Sequence, residues 1–179
     1  TLGRVLFYDK ALSKNGTIAC ASCHHQEFAF SDTAVRSSGV NGLTGRHSMR
    51  LINARFARES KFFWNERAAS LEEQTTQPIQ DHIEMGFSGT DGDENISDLI
   101  TKLNSLDYYQ ELSAWAYNEP NGKNILTETH LKECLGAFVR SIQSFDSKYD
   151  EGRRQIGVND NNRPLPNFSA DENAGLQLF

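Results

Sequence analysis

The chain has 179 residues, a net charge of −6 and 37% apolar residues. That length allows one domain with a core, or one domain and part of another. The acidic balance excludes a nucleic-acid footprint, which needs a basic face, and no apolar run approaches the length of a membrane span.

Residues 2–8 read as a short apolar helix, and 9–17 as a loop turning at Asn15-Gly16. Cys20-Ala21-Ser22-Cys23-His24 follows, the c-type haem attachment pattern. Two thiols three residues apart on a helical turn can each form a thioether to a haem vinyl group, and the next histidine supplies an axial ligand to the iron. Half a zinc site or a redox dithiol would share the two cysteines. Zinc needs a second pair of soft ligands, and Cys134 is the only other cysteine. A redox dithiol wants a strand–helix context that is not visible here.

A haem helix is predicted over 18–27, with Phe28, Ala29 and Phe30 covering a haem edge. Residues 37–45 form a glycine-containing loop suited to close approach to the haem. Residues 46–56 read as irregular structure or a short helix lining the site, and Phe62-Phe63-Trp64 is the densest aromatic cluster. Ser70 and Glu73 form a capping box opening a helix that stops near Pro78. Residues 81–93 are loop-like, with Gly86, Gly89 and Gly92.

Three further helices are expected over 95–103, 108–117 and 128–149. The last carries an apolar stripe, Leu131, Cys134, Leu135, Phe138, Ile142, Phe145 and Tyr149, so Cys134 reads as a buried, inert thiol. Residues 153–168 read as a polar linker. Ser169 and Glu172 form a second capping box and start another helix. Ala174-Gly175-Leu176-Gln177-Leu178-Phe179 echoes Leu2-Gly3-Arg4-Val5-Leu6-Phe7, as if a second haem domain began there. The expected organisation is a haem domain over 1–152, a linker over 153–168 and the start of a truncated second haem domain over 169–179. The chain starts at Thr1 with no Met and no visible signal peptide, as a processed protein would. Covalent haem is attached outside the cytoplasm, which implies a periplasmic or otherwise exported protein.

Together these stretches resemble the bacterial dihaem cytochrome c peroxidases, including the methylamine-utilisation-type dihaem oxidases. The matching segments are residues 2–9, Leu12-Ser13, 16–24, Leu51-Ile52-Asn53-Ala54 and Phe63-Trp64-Asn65-Glu66-Arg67-Ala68, then Leu71-Glu72-Glu73-Gln74, Pro78 and Glu84-Met85-Gly86. The resemblance implies a mainly α, cytochrome c-like helical domain that is one half of a two-domain dihaem architecture. One covalent haem c would belong to this chain and two to the full protein. His24 would be the proximal ligand of the peroxidatic haem. Glu84 would be the distal acid–base group, with Gln74 and Pro78 beside it in the distal pocket. Trp64 would relay electrons between the haems, and Arg67 would pair with a propionate or support the structure.

The implied reaction is reduction of hydrogen peroxide, with electrons from a small donor such as a cytochrome c or cupredoxin entering through the second haem domain. A homodimer is compatible with the family. The 179-residue chain alone would then be a poor catalyst, since its electron-entry domain is missing. Two other functions compete: a dihaem oxidase acting on a protein or small molecule, and a mono-haem electron-transfer cytochrome whose iron is capped by Met85 or His47. Met85 reads rather as packing, and His25, His82 and His130 as surface histidines. The sequence departs from the family twice. The loop 39–45 has no His to block the iron, and His47 replaces the usual Asn after Arg46. That Asn is implicated in an interdomain calcium site, so the departures weigh against a calcium ion and against reductive activation.

Overall fold

The computed structural model describes residues 1–57, 61–118, 126–157 and 163–178. They fall into two compact units, Thr1–Ile142 and Gln143–Phe179. In the first unit, α1 (Leu2–Tyr8) buries Leu2, Leu6 and Phe7 on one side. Burial of each such side chain favours the fold by about 1.5–3 kcal/mol. Asp9 ends the helix and caps the next turn, Lys10–Leu12, by accepting from Ala11 N at 2.8 Å.

The haem helix expected over 18–27 does not form. Two single 3₁₀ turns, Cys20–Ser22 and Gln26–Phe28, stand in its place. Ala19 N donates to Ser22 Oγ at 3.0 Å, and His25 pairs with Ser31. Ala29 and Phe30 are left-handed, both at φ 57°, so the chain doubles back where a helix would have run on. The loop over 37–45 contains a short hairpin, β1 (Ser38–Gly39) and β2 (Gly42–Leu43), antiparallel with Ser38 opposite Leu43.

Helix α2 (Leu71–Thr76) begins at Ser70, whose Oγ accepts from Glu73 N. The return bond of the box reaches one residue further back, from Ala69 N to the Glu73 carboxylate at 3.0 Å. Helix α3 (Ile96–Asn104) has a full capping box, Asn95 with Asp98. Helix α4 is Asp107–Ala116. Helix α5 (Glu128–Ser141) packs against α1 and α2. A Cβ on Gly3 would lie 1.9 Å from Cys134 O, so only glycine permits the α1–α5 approach. Glu72 of α2 takes both Arg140 Nη atoms of α5, at 2.5 and 2.8 Å. Cys134 is half-buried, 3.5 Å from Tyr117 Oη.

The single helix expected over 128–149 is broken. Ile142 is extended, and its carbonyl accepts from Asn53 N at 2.9 Å, which diverts it from the helix. In the second unit Ser147 caps a new helix, α6 (Lys148–Ile156), through Asp150. The stretch read as a linker therefore starts inside α6, and it includes Leu165, which is fully buried. Asn173 of α7 (Ala170–Leu178) holds Leu165 N at 2.8 Å. Ser169 and Glu172 cap α7 reciprocally, as the sequence predicts.

Candidate haem site

The first unit encloses a cavity of about 640 Å³, within the range of ligand sites, ~300–1,000 Å³. Cys20, Cys23 and His24 line it from the turns after α1. Gln74 and Pro78 line it from α2 and its end, and Glu84 and Met85 from the loop beyond. Phe7, Leu71, Leu135 and Val139 supply apolar wall. The cavity is thus lined by seven of the eight sequence-predicted site residues, all but Trp64. Of the seven, Arg67 has an exposed side chain.

His24 is oriented for ligation. Its Nδ1 lies 2.8 Å from Phe30 O. A carbonyl only accepts, so Nδ1 carries the proton and Nε2 keeps the lone pair. The left-handed pair Ala29–Phe30 brings that carbonyl into place. Ser48 Oγ lies 3.1 Å from the same nitrogen. Burial lowers the imidazole pKa, which favours the neutral ring a metal needs. Burial pushes the Cys20 thiol up to about 12 and raises Cys23 as well, and both are free thiols. Two cysteines and a correctly tautomerised histidine on the wall of one apolar cavity fit a covalently attached haem.

Glu84 is half-buried, and burial raises its carboxyl pKa to about 7. Repulsion from Asp81 adds to the shift and attraction to Arg67 opposes it. Asp81 also holds the backbone there, its Oδ1 accepting from Ile83 N and Glu84 N at 2.8 and 3.0 Å. The hairpin clamps the same loop: Val40 N donates to Glu84 O at 3.1 Å, and Asn41 N to Ile83 O at 3.2 Å. A Cβ on Gly39 would lie 2.1 Å from Ile83 O. The far end of the loop is tied by Asp93, which accepts from Lys14 Nζ, His82 Nδ1 and Ser88 Oγ at 2.8–2.9 Å. Together these bonds lower the Asp93 pKa.

Arg67 Nε donates to Gln77 at 2.8 Å, and the guanidinium sits 3.5 Å over the Phe63 ring. Trp64 lies outside the cavity wall, 59% exposed, with Nε1 donating to His47 O at 3.0 Å. His47 lines the cavity, yet its nitrogens face Ala34 O and Ser31 Oγ at 2.8 and 3.2 Å. Met85 is buried in the core. Sequence reasoning missed Ser48, Asp81, Gly39 and Asp93. An Asp three residues before Glu84, the local Asx signature, could have exposed Asp81.

Residues 1–156 match the family model described as di-haem cytochrome c peroxidase. The chain belongs to that family, a family of oxidoreductases. It is 28% identical to the methylamine utilization protein MauG of Methylophilus methylotrophus, over 84% of this chain and 41% of that protein. It is 29% identical to the cytochrome c peroxidase Ccp of Escherichia coli, over 99% of this chain and 34% of that protein. The crystal structure of a MauG-like protein associated with microbial copper homeostasis superposes with a TM-score of 0.73 at 32% identity. It covers 90% of this chain and 45% of that one. The chain thus spans less than half the length of these relatives. The mainly α, cytochrome peroxidase-like fold expected from the sequence is the one observed, and membership of this family implies haem c. Among the described residues, no helix is long and apolar enough to cross a membrane.

Proposed function

We propose that this chain is the peroxide-activating part of a dihaem cytochrome c peroxidase. Cys20 and Cys23 would hold a haem c covalently, with His24 Nε2 as the proximal ligand. The bound haem would supply a redox iron at which the O–O bond of hydrogen peroxide is cleaved. The chain's own residues handle the protons. Glu84 takes a proton from the incoming peroxide oxygen and returns it to the leaving one. The Gln74 amide, which lines the same cavity, hydrogen-bonds the substrate, and Pro78 shapes the pocket. The balance is one peroxide, two protons and two electrons giving two waters. The electrons come from a small periplasmic donor, a cytochrome c or cupredoxin, through a second haem domain of the same protein. Trp64, exposed beside His47, is suited to receive them.

The observation that carries this reading is Glu84. It is a carboxyl lining the same cavity as His24, with its pKa raised to about 7. That value is matched to proton transfer near neutrality, where an ordinary carboxylate would be too weak a base. The likeness to MauG supports a second reading, a dihaem oxidase acting on a protein or small molecule, with the same Glu84. The test is Glu84→Gln in the haem-loaded full protein. Peroxide turnover is expected to fall by about 10²–10⁴-fold, with the haem absorption spectrum retained. Unchanged turnover rules out Glu84 as the acid–base group.

A further inference from the structure

Two neighbouring tyrosines share one carboxylate at the junction of α1 and α4. Tyr108 Oη and Tyr109 Oη both donate to Asp9 Oδ2, at 2.7 and 2.9 Å. Their rings are 4.6 Å apart. The other carboxylate oxygen, Oδ1, is already used to cap Ala11 N. Tyr109 is fully buried, in the core cluster against which Cys20 packs. Cys20 lines the haem cavity. Tyr108 is 42% exposed. The pair therefore runs from the core cluster that Cys20 packs against to the surface.

One carboxylate oxygen for two phenols is more than a helix junction requires, since one phenol would tie α4 to the end of α1. It is the arrangement that phenol oxidation requires. A neutral phenol gives up an electron readily only if its proton leaves at the same time, to a base within hydrogen-bond distance. The other tyrosines of this unit are less well placed. Tyr8 Oη donates to the Gln26 amide oxygen at 3.3 Å, a poor proton acceptor. Tyr117 has a carboxylate at 3.3 Å but stacks on His130 rather than on a second tyrosine.

Resting on the peroxidase reading above, we infer that Tyr109, Tyr108 and Asp9 form a hydrogen-atom path from the haem cavity to a surface site where small phenol- or hydroquinone-type donors are oxidised. The oxidant is hydrogen peroxide. Tyr109 releases one electron toward the cavity, and its phenolic proton passes to Asp9 Oδ2. Tyr108 then gives an electron to Tyr109. The proton on Asp9 returns to Tyr109, and the proton of Tyr108 replaces it. A hydroquinone at the surface reduces the Tyr108 radical by one electron, Asp9 restores the proton, and the oxidised donor loses a proton to water. Two passages supply the two electrons, and two donor protons are released, which together convert one peroxide into two waters. This path is separate from protein-borne electrons entering through a second haem domain, and it gives the chain a small-molecule donor site of its own.

The haem-loaded full protein tests this. It is treated with hydrogen peroxide in the absence of reductant, with a nitroso spin trap present. Electron paramagnetic resonance reads the radical, and peptide mass spectrometry locates the adduct. A tyrosyl signal and an adduct on Tyr108 are expected. Tyr109→Phe should cut the Tyr108 adduct at least about tenfold, and Asp9→Asn should cut it by roughly 10²-fold as the proton acceptor is lost. Tyr8→Phe should leave it unchanged. Hydroquinone added before peroxide should abolish the adduct and be consumed, and Tyr108→Phe should slow that consumption. The resting haem spectrum of each variant checks that the site is intact. An adduct that survives Tyr109→Phe undiminished overturns the path, as does labelling of Tyr8 in preference to Tyr108. A haem spectrum that responds to peroxide with no tyrosine oxidised sinks this inference and leaves the peroxidase reading standing. A spectrum that does not respond at all removes both.

Discussion

The two nitrogens of His24 are not equivalent, and a backbone carbonyl distinguishes them. Phe30 O accepts from Nδ1, so the lone pair is on Nε2, the nitrogen to which the proposed function assigns the iron. Glu84 depends on its surroundings in the same way. Its carboxyl is pushed up to about 7 mainly by burial, so its base form develops across neutral pH. The sign follows directly. Below pH 7 Glu84 is protonated and cannot take the peroxide proton, so turnover is expected to rise with pH and level off above about 7. A pH profile checks this, and Glu84→Gln should flatten the rise. The raised value also means that the fold favours the protonated carboxyl, a contribution present in full below about pH 4.3 and lost as pH rises through 7. Asp93 is the opposite case. Lys14, His82 and Ser88 lower its pKa, so its contribution is present above the unfolded value, ~3.9, and is lost as pH falls toward the lower folded value. Asp93→Asn should lower the melting temperature at pH 7 and narrow the gap to wild type on acidification. Thermal melts at several pH values measure it.

At the scale of elements, two glycines set distances that no other residue allows. Gly39 brings the hairpin onto the loop of Glu84, and an added Cβ would lie 2.1 Å from Ile83 O. Gly39→Ala should displace that loop, lowering peroxide turnover while leaving haem attachment at Cys20 and Cys23 intact. Turnover measured per attached haem separates the two effects. Gly3→Ala acts on the fold instead. The clash with Cys134 O drives α1 from α5, and overpacking of this kind costs about 1–3 kcal/mol in a denaturant titration. The helices themselves were legible, because caps and apolar spacing are local. Ser70, Asn95 and Ser169 each announce a start. The break at Ile142 was not legible, since an apolar stripe continues through it and the partner that diverts it, Asn53 N, is distant in sequence. The missing haem helix has a nearer cause: local pattern favours a turn of helix at Cys20–His24, whereas bonds to Phe30 and Ser31, six residues further on, fold the chain back. Of the site, Cys20, Cys23 and His24 were legible from spacing alone. Gln74, Pro78 and Glu84 needed the family resemblance, because a Glu in a glycine-flanked loop carries no signal of its own burial.

At the scale of the whole molecule, the low apolar content and the cavity are one fact. With 37% apolar residues, the chain builds one core cluster and sets several of its large apolar side chains along a space of about 640 Å³. Protein interiors are otherwise packed like organic crystals. Phe7, Leu71, Leu135, Val139 and Met85 belong to the core cluster and also line that space. A flat, largely apolar macrocycle tethered at Cys20 and Cys23 would extend the core by burying its own apolar surface against them, at roughly 25 cal/mol per Å², and the thioethers would keep it there. The fold should therefore be completed by its cofactor rather than merely occupied by it. Replacing both attachment cysteines, Cys20→Ser with Cys23→Ser, should give a chain that melts well below the haem-loaded protein. It should also bind a hydrophobic dye such as ANS and lose near-ultraviolet circular dichroism before far-ultraviolet signal. Calorimetry and dye fluorescence on the two forms measure this directly. Equal melting temperatures would mean that the helices close over the cavity on their own, and that haem contributes chemistry without contributing to the core.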